Sequence, residues 1–245
     1  MKAISICIGR KGSKGLPGKN KMIIKGNPLC FYPMEAASNS KFITHSFLNT
    51  DDDELKHVGV KLNHFLLERS PQLANSSALG EDVFENSYKQ ILSLYPYLSD
   101  HLVVLLFCNA PTVTSKLIDD AINLLSRDSN ADSVVSVSRF NMYSPLRARK
   151  LDDEKKYLLP FIPFETFGDP NNLNCDRDSQ GDVLFANMSL SVVRPKCLLN
   201  MSEGLLPQKW MGKNIKPIFQ EFGCDIDYSW QIPLINNWIE NNKLG

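Results

Sequence analysis

The sequence predicts an α/β fold with a mostly parallel central sheet. Three observations support this prediction. Short apolar runs alternate with helical patterns through the first half of the chain, the run at 102–107 is apolar on both faces, and a glycine-rich loop directly follows the first strand. Strands that are buried on both faces and joined through helices are typical of parallel sheets covered by helices.

The elements follow in order along the chain. The apolar runs predict strands at 3–8, 46–49, 65–67, 102–107 and 132–138. Helical spacing of apolar residues predicts helices at 28–40, 82–94 and 114–125, with Pro28 in the first turn of the first helix. Beyond the middle of the chain, the pattern predicts strands at 184–193 and 215–221 and a final helix at 228–240.

The regular alternation stops after Arg139. The stretch 141–181 carries scattered Pro, Asp and Asn with mixed charge. A structureless loop of about 40 residues is unusual inside a compact domain. We therefore predict a single domain over 1–245, with an excursion at 140–180 that has structure of its own.

Composition excludes several classes of protein. Lys plus Arg and Asp plus Glu both number 27, and a chain with no basic excess is a poor general nucleic-acid binder. The longest apolar run, 102–108, is far shorter than the roughly 20 residues of a membrane helix. The N-terminus shows no secretion signal, so we expect a cytoplasmic protein without nucleic-acid or membrane partners.

The cysteines and histidines do not indicate a metal site. The six cysteines form no CxxC motif, and no pair of the four histidines has zinc-ligand spacing. Buried free thiols are therefore favoured over a disulfide framework.

The loop at 9–20 carries the strongest chemical signal. Its sequence, GRKGSKGLPGKN, holds four glycines and four cations. Glycines let the backbone approach a ligand and turn N–H groups towards an anion, and the cations supply charge for a polyphosphate. The loop lacks the Walker A ending, and an ordinary basic surface loop is the alternative.

A second motif, Asp225-Ile226-Asp227, lies close to the C-terminus. Residues two apart in an extended chain face the same side, so both carboxylates could bind one hard cation such as Mg²⁺. Solvated carboxylates explain most pairs of this kind. The predicted strand just before the pair favours a functional interpretation.

The loop resembles the signature of the acylneuraminate cytidylyltransferases, or CMP-sialic acid synthetases. The matching pattern is Arg10-x-x-Ser13-Lys14-Gly15-x-Pro17-x-Lys19-Asn20. The resemblance implies a Rossmann-like three-layer αβα fold, CTP as substrate and Mg²⁺ as cofactor. It implies that CTP is bound by the loop and by an arginine further on, and that the C-terminal pair holds the metal: Arg10, Ser13, Lys14, Gly15, Lys19, Asn20 and Arg69, with Asp225 and Asp227.

Smaller matches and departures lie between these motifs. Asn49-Thr50-Asp51 resembles the family's Ser-Thr-Asp, although Asp51 could equally cap the following helix. The glutamine by which the family reaches the sugar falls on Phe107, and Asn109 is the predicted substitute. The serine-rich segment that contacts the base in the family is replaced at 78–82. These departures leave the identity of the sugar acid open, and they affect the assignment of the nucleotide less.

The resemblance extends to the excursion, which in the family enters the partner subunit and adds basic residues to its sugar pocket. By position it assigns Arg147, Arg177 and Asn187 to sugar binding and predicts a homodimer. Arginine suits a carboxylate because its planar fork binds both oxygens. Solvated charges are the alternative for the two arginines.

The resemblance thus implies a reaction of CTP with a sialic or related nonulosonic acid, giving CMP-sugar and pyrophosphate. The implied catalytic residues are Arg10, Lys19 and Asp227, with Asp227 as proton acceptor. A Kdo or 8-amino-Kdo cytidylyltransferase is the alternative within the superfamily. A non-catalytic nucleotide-binding protein is the alternative from another class.

Overall fold

A computed structural model describes residues 2–12, 15–75 and 77–244 of the chain. The chain divides into two compact units. Unit 1 comprises Met1–Ser136 and Asn187–Gly245, and unit 2 comprises Val137–Ala186. The predicted excursion falls within unit 2, and its role in dimerisation stays a prediction.

The structure contains strands β1 to β11 and helices α1 to α7 among the residues it describes. The strands are β1 Ala3–Ile8, β2 Ile23–Ile24, β3 Asn27–Pro28, β4 Ile43–Asn49, β5 His64–Leu67, β6 Leu102–Phe107, β7 Ser133–Arg139, β8 Arg149–Leu151, β9 Leu158–Pro160, β10 Leu184–Val193 and β11 Ile215–Phe219. The helices are α1 Phe31–Ser38, α2 Asp53–Lys61, α3 Pro71–Ala74, α4 Gly80–Leu94, α5 Ser115–Ser126, α6 Pro195–Leu199 and α7 Ile232–Asn241.

The central sheet has seven strands in the order β11-β7-β10-β6-β1-β4-β5. Strand β1 pairs in parallel with β4 and with β6, and β4 pairs in parallel with β5. Strand β10 runs antiparallel to β6. The predicted mostly parallel sheet with flanking helices is thereby confirmed.

Helices cover both faces of the sheet because the central strands are apolar on both faces. From β1, Ala3 and Cys7 join a core cluster with Met34 of α1 and Ile118 of α5. On the opposite face, Ile8 lies next to the first residue of α4. All six residues of β1 are buried. The centre of the sheet at β1 is therefore buried, as the sequence predicted.

At the helix ends, one prediction is wrong and one alternative is not realised. Pro28 does not open α1, because it pairs with Ile23 in the short β2–β3 hairpin. Asp51 does not cap α2. The side chain of Asp52 does so by accepting a hydrogen bond from the Glu54 N–H at 2.9 Å. Asp51 instead accepts the N–H of Lys11, at 2.9 Å.

Unit 2 has its own small framework. Strands β8 and β9 form an antiparallel hairpin. The Asn141 side chain donates to Asp178 at 2.6 Å and accepts the N–H of Val183 at 2.9 Å. Large apolar side chains of the hairpin face solvent, with Tyr157 and Leu158 about 70% exposed.

Two further predictions concern membrane helices and disulfides. No helix in the described part of the chain is long and apolar enough to cross a membrane. All six cysteines, each of them in the described ranges, are free; four are buried as predicted, Cys224 is half-buried and Cys175 is exposed.

Candidate active site

A pocket of about 320 Å³ opens at one edge of the sheet. Strands β1, β5 and β6 run parallel, so the segments that follow them meet at this edge. Ligands in open α/β sheets bind at the carboxyl ends of the strands. The pocket is lined by Ile8, Gly9, Arg10, Gly15, Lys19, Asn20, Arg69, Ala78, Gly80, Phe107, Asn109 and Asp227.

The glycine-rich loop is held at both ends by hydrogen bonds. At its start, the Lys11 N–H donates to Asp51, and at its end the Asn20 amide donates to the Arg10 carbonyl at 3.1 Å. Gly18 has φ of +73°, a conformation that favours glycine, and leads into a 3₁₀ turn at Lys19–Lys21. The loop therefore turns back and brings Arg10 and Lys19 to one pocket.

Gly15 lies beside the C-terminal aspartate segment. A Cβ at this position would meet the Asp227 carbonyl oxygen at 3.0 Å, closer than side-chain carbons normally approach. A glycine therefore lets the loop and the segment at 225–227 pack together. The two motifs at opposite ends of the sequence form one site.

Lys19 and Asp227 form an ion pair in the pocket. The lysine side chain is only 12% exposed, whereas that of Asp227 is 52% exposed. Water screens the charge of such a buried cation only weakly, so the cation interacts strongly with other charges in the pocket. Lys19 is therefore placed to attract an anionic ligand.

Asp225 lies deeper than Asp227. Its carboxylate accepts the Asn109 amide at 3.3 Å. Burial and the charge of Asp227 raise the pKa of Asp225, and Lys19 and Asn109 oppose that rise. A cation at this position would relieve the repulsion between the two carboxylates.

Arg69 joins three backbone segments under the pocket. Its guanidinium donates to the carbonyls of Leu73 at 3.0 Å, Gly9 at 3.2 Å and Asn49 at 3.4 Å. Burial lowers the pKa of this arginine, an effect that the charge of Asp51 partly offsets. Arg69 therefore supports the pocket as well as lining it.

Asn20 has a buried side-chain oxygen with no hydrogen-bond donor among the described residues. The residue is 7% exposed, and its Oδ1 accepts no hydrogen bond from the residues that the structure describes. A buried acceptor without a donor costs about 1–3 kcal/mol. A hydroxyl or amino group of a bound nucleotide would satisfy it.

Asp225 and Asp227 are the residues that could hold a metal ion. No group of three or more His, Cys, Asp or Glu side chains with metal-binding geometry occurs in the described ranges. Mg²⁺ commonly takes one or two carboxylates and completes its shell with substrate phosphates and water. The two carboxylates beside a cationic pocket fit that donor set.

Five further site residues were predicted from the sequence. Ser13 and Lys14 fall outside the described residues. Asn187 is buried on β10, where its Oδ1 accepts the Ser136 hydroxyl at 2.6 Å, and it does not line the pocket. In unit 2, Arg147 donates to the Cys175 carbonyl at 2.7 Å, and Arg177 pairs with the adjacent Asp178. The sugar-binding role assigned to these residues stays a prediction.

The structure adds residues that the sequence reasoning did not assign. Ala78, Gly80 and Phe107 form an uncharged wall of the pocket, and Phe107 stacks edge-on against Phe84. Gln231 contacts the aspartate segment through its side-chain amide. An apolar wall gives no chemical signature in a sequence, and a glutamine four residues beyond Asp227 can be noticed only as part of a helix start.

Comparisons with known proteins identify the family. A family model described as cytidylyltransferase matches residues 4–208. The N-acylneuraminate cytidylyltransferase of Streptococcus agalactiae serotype V is 30% identical over 148 residues, 60% of this chain and 34% of that protein. The pseudaminic acid cytidylyltransferase of Campylobacter jejuni is 31% identical over 122 residues, 49% of this chain and 52% of that protein.

The fold has a full-length counterpart among solved structures. A CMP:2-keto-3-deoxy-manno-octonic acid synthetase, solved with CTP, covers 99% of this chain and 100% of its own with a TM-score of 0.67 at 14% identity. This chain spans about a third of the length of the Streptococcus relative. The family match covers most of the chain and includes the pocket loop, and the chain therefore belongs to the cytidylyltransferase family.

Proposed function

We propose that this protein transfers the cytidylyl group of CTP to a sialic or related nonulosonic acid, releasing pyrophosphate. The observation that carries the proposal is the convergence of Arg10, Lys19 and Asp227 in one pocket, with Asp225 next to it. Cations for a triphosphate and carboxylates for a hard metal are what this chemistry needs. The relatives named for N-acylneuraminate and pseudaminic acid support the substrate class.

The reaction is an in-line displacement at phosphorus. The anomeric hydroxyl oxygen of the sugar acid forms a bond to the α-phosphorus of CTP. The bond from that phosphorus to the bridging oxygen breaks, and its electron pair leaves with pyrophosphate. The hydroxyl proton passes to Asp227, the exposed carboxylate of the pair. Arg10 and Lys19 neutralise charge on the triphosphate and the leaving group, together with Lys14.

Asp225 and Asp227 would hold Mg²⁺. When bound, the ion supplies Lewis-acid charge at the phosphoryl oxygens. Gly15, Asn20 and Arg69 serve the nucleotide by shape and hydrogen bonding, since all three line the pocket. The unsatisfied Oδ1 of Asn20 would accept a donor from the ribose or the base.

We also propose a homodimer in which unit 2 of one subunit serves the partner's sugar site. The exposed Tyr157, Leu158 and Phe161 provide apolar surface for a second copy. Arg147 and Arg177 would then bind the sugar carboxylate in trans, with Asn109 and Asn187 as the amides assigned to the sugar.

The dimer proposal is tested by mixing two defective proteins. Lys19→Ala disables CTP binding, and Arg177→Ala disables the sugar site. In a mixed dimer with sharing in trans, one site carries both defects and the other carries none, so activity should exceed that of either parent. A monomer by light scattering, or verified subunit exchange without recovery, would exclude the arrangement.

Two alternative functions differ in how well the site fits them. A Kdo or 8-amino-Kdo cytidylyltransferase stays the alternative within the superfamily, because Phe107 stands in the pocket wall where the sialic acid enzymes carry the glutamine that reaches the sugar. A non-catalytic nucleotide-binding protein is disfavoured because Lys19 and both aspartates are present and adjacent.

Pyrophosphate release from CTP separates all three functions. The panel contains N-acetylneuraminic, legionaminic and pseudaminic acids with Kdo and 8-amino-Kdo, and ATP and GTP serve as control nucleotides. We expect release with CTP and a nine-carbon acid. Release only with an eight-carbon acid would favour the first alternative. CTP binding by calorimetry with no release from any acid would favour the second.

A further inference from the structure

The geometry points to Gln231 as a positioning residue that holds the Asp225–Asp227 segment in its metal-binding arrangement. This inference rests on the proposed function, because it supposes that the aspartates hold a cation. Gln231 itself lies outside the pocket lining, and its effect is exerted through the backbone of the two aspartates.

One side chain makes three hydrogen bonds to this segment. The Gln231 Oε1 accepts the N–H groups of Asp227 and Tyr228, both at 2.7 Å. Its Nε2 donates to the Asp225 carbonyl at 3.0 Å. The amide therefore bridges the backbone on both sides of Ile226. In this way it fixes the backbone positions from which the two carboxylate side chains extend.

The bridge is attached to rigid structure. Gln231 is the residue that precedes α7, and Ile235 and Ile239 of that helix pack in a core cluster with Ile226, which is 0% exposed. On the other side, the Ile226 N–H donates to the Asn109 carbonyl at 2.8 Å. The two aspartates thus flank a buried residue that cannot move independently of α7.

A neutral amide suits this position better than a carboxylate. The segment presents N–H groups on one side and a carbonyl on the other, so its partner must both accept and donate. Glutamine does both without adding a third negative charge beside Asp225 and Asp227. Supporting groups of this type typically change metal affinity about 10–100-fold when they are lost.

The experiment compares two glutamines that make equal numbers of hydrogen bonds. Gln231→Met removes the bridge with little change in volume. Gln90→Met is the matched control, because the Gln90 side chain also makes three hydrogen bonds, two to the backbone of Glu68 after β5 and one to Asn86 of its own helix α4. Mn²⁺ binding is followed by loss of the free-ion EPR signal with CMP present, after subtraction of a protein-free titration. Thermal unfolding is measured on the same samples.

We expect Gln231→Met to weaken Mn²⁺ binding about tenfold and Gln90→Met to leave it unchanged, with similar losses of thermal stability. Gln231→Glu keeps both acceptor bonds but loses the bond to the Asp225 carbonyl and adds a negative charge, so it should recover only part of the affinity. If Gln231→Met does not fold, Gln231→Asn is the substitute. Its side chain is one methylene shorter and cannot reach the segment, so it should weaken Mn²⁺ binding to the same extent.

The opposing results are separable. Wild-type affinity in the Gln231 variants, or equal weakening in Gln90→Met, overturns the inference alone. If the wild type binds no Mn²⁺, or if Asp225→Asn binds it as tightly, the metal assignment and the inference both fail. Normal Mn²⁺ behaviour without pyrophosphate release from any acid overturns the proposed reaction and leaves the positioning role intact.

Discussion

Two arginines in this chain make the same kind of contact, and only one of them lines the pocket. Arg69 donates to three backbone carbonyls at 3.0–3.4 Å, and Arg194 donates to three others at 2.8–3.1 Å. Replacing each with methionine removes the guanidinium and keeps most of the apolar stem. The pair therefore separates stability from ligand binding.

The expected loss of stability follows from the bonds. A hydrogen bond from a charged donor contributes about 1.5–3 kcal/mol. Counting the two shorter bonds of Arg69, and discounting the one at 3.4 Å, we expect Arg69→Met to lose about 3–6 kcal/mol of unfolding free energy. Arg194→Met, whose three bonds are shorter, should lose at least as much. For a chain of this length each kcal/mol corresponds to about 2–4 °C in Tm.

The two variants should differ in CTP binding. Arg69→Met releases the carbonyls of Gly9 and Asn49 at the pocket edge, so we expect CTP affinity to fall at least tenfold by calorimetry at a temperature where both variants are folded. Arg194→Met should bind CTP as the wild type does. If both variants bind CTP equally well, or if Arg69→Met unfolds within about 1 kcal/mol of the wild type, the assignment of Arg69 as the support of the pocket is wrong.

Three further predictions test the metal, the nucleotide and the pH dependence of stability. Asp225→Asn and Asp227→Asn should each lower kcat about 100-fold or more with the fold intact by circular dichroism, because a catalytic ion contributes several kcal/mol; activity that survives in the double variant or in chelator would remove the metal assignment. Lys19→Ala should raise the KM for CTP about 10–100-fold through loss of a charge-assisted contact, and equal CTP affinity by calorimetry would contradict this role. Burial lowers the pKa of His64 to about 4, whereas the pKa of an unfolded histidine lies near 6.5. As the pH falls, the unfolded chain therefore binds a proton at His64 before the folded chain does. The contribution of neutral His64 to stability is thus fully present above pH 6.5 and is lost as the pH falls towards 4. The loss is about 3 kcal/mol by pH 4; His64→Asn should flatten this part of the urea-unfolding profile, the exposed His57→Asn should not, and an unchanged slope in His64→Asn would refute the assignment.

Strands buried on both faces were the easiest elements to predict. The bounds predicted for β1, β6 and β10 agree with the structure, because each is rich in apolar residues and ends before a polar or turn residue. Strand β10 is buried without interruption only from Ser189 onwards. Helix α2 was harder to predict. It carries charge along most of its length, and only Leu55 and Gly59 are buried. Its existence depends on packing against the sheet more than on its own pattern.

The site was predictable where a motif carries charge. Arg10, Lys19 and Asp227 stand out in the sequence because phosphate and metal chemistry require such groups, and the structure brings them together. The contacts that hold them are less visible. The role of Asp51 in binding the Lys11 N–H depends on a contact between residues 40 apart in the chain, which no local pattern contains. Gln231 is close to the aspartates in the sequence, but the pattern indicates only a helix start there.

The zero net charge of the chain conceals the charge separation on which the site depends. Arg10, Arg69 and Asn109 follow β1, β5 and β6, and the parallel pairing of these strands brings their carboxyl ends to one edge. The aspartates arrive by another route, since Ile226 is buried with α7 and places its two neighbours beside that edge. The cations thus come from segments that follow the strands, and the anions come from the segment that precedes α7. A change that loosens α7 should therefore weaken metal binding before it weakens CTP binding.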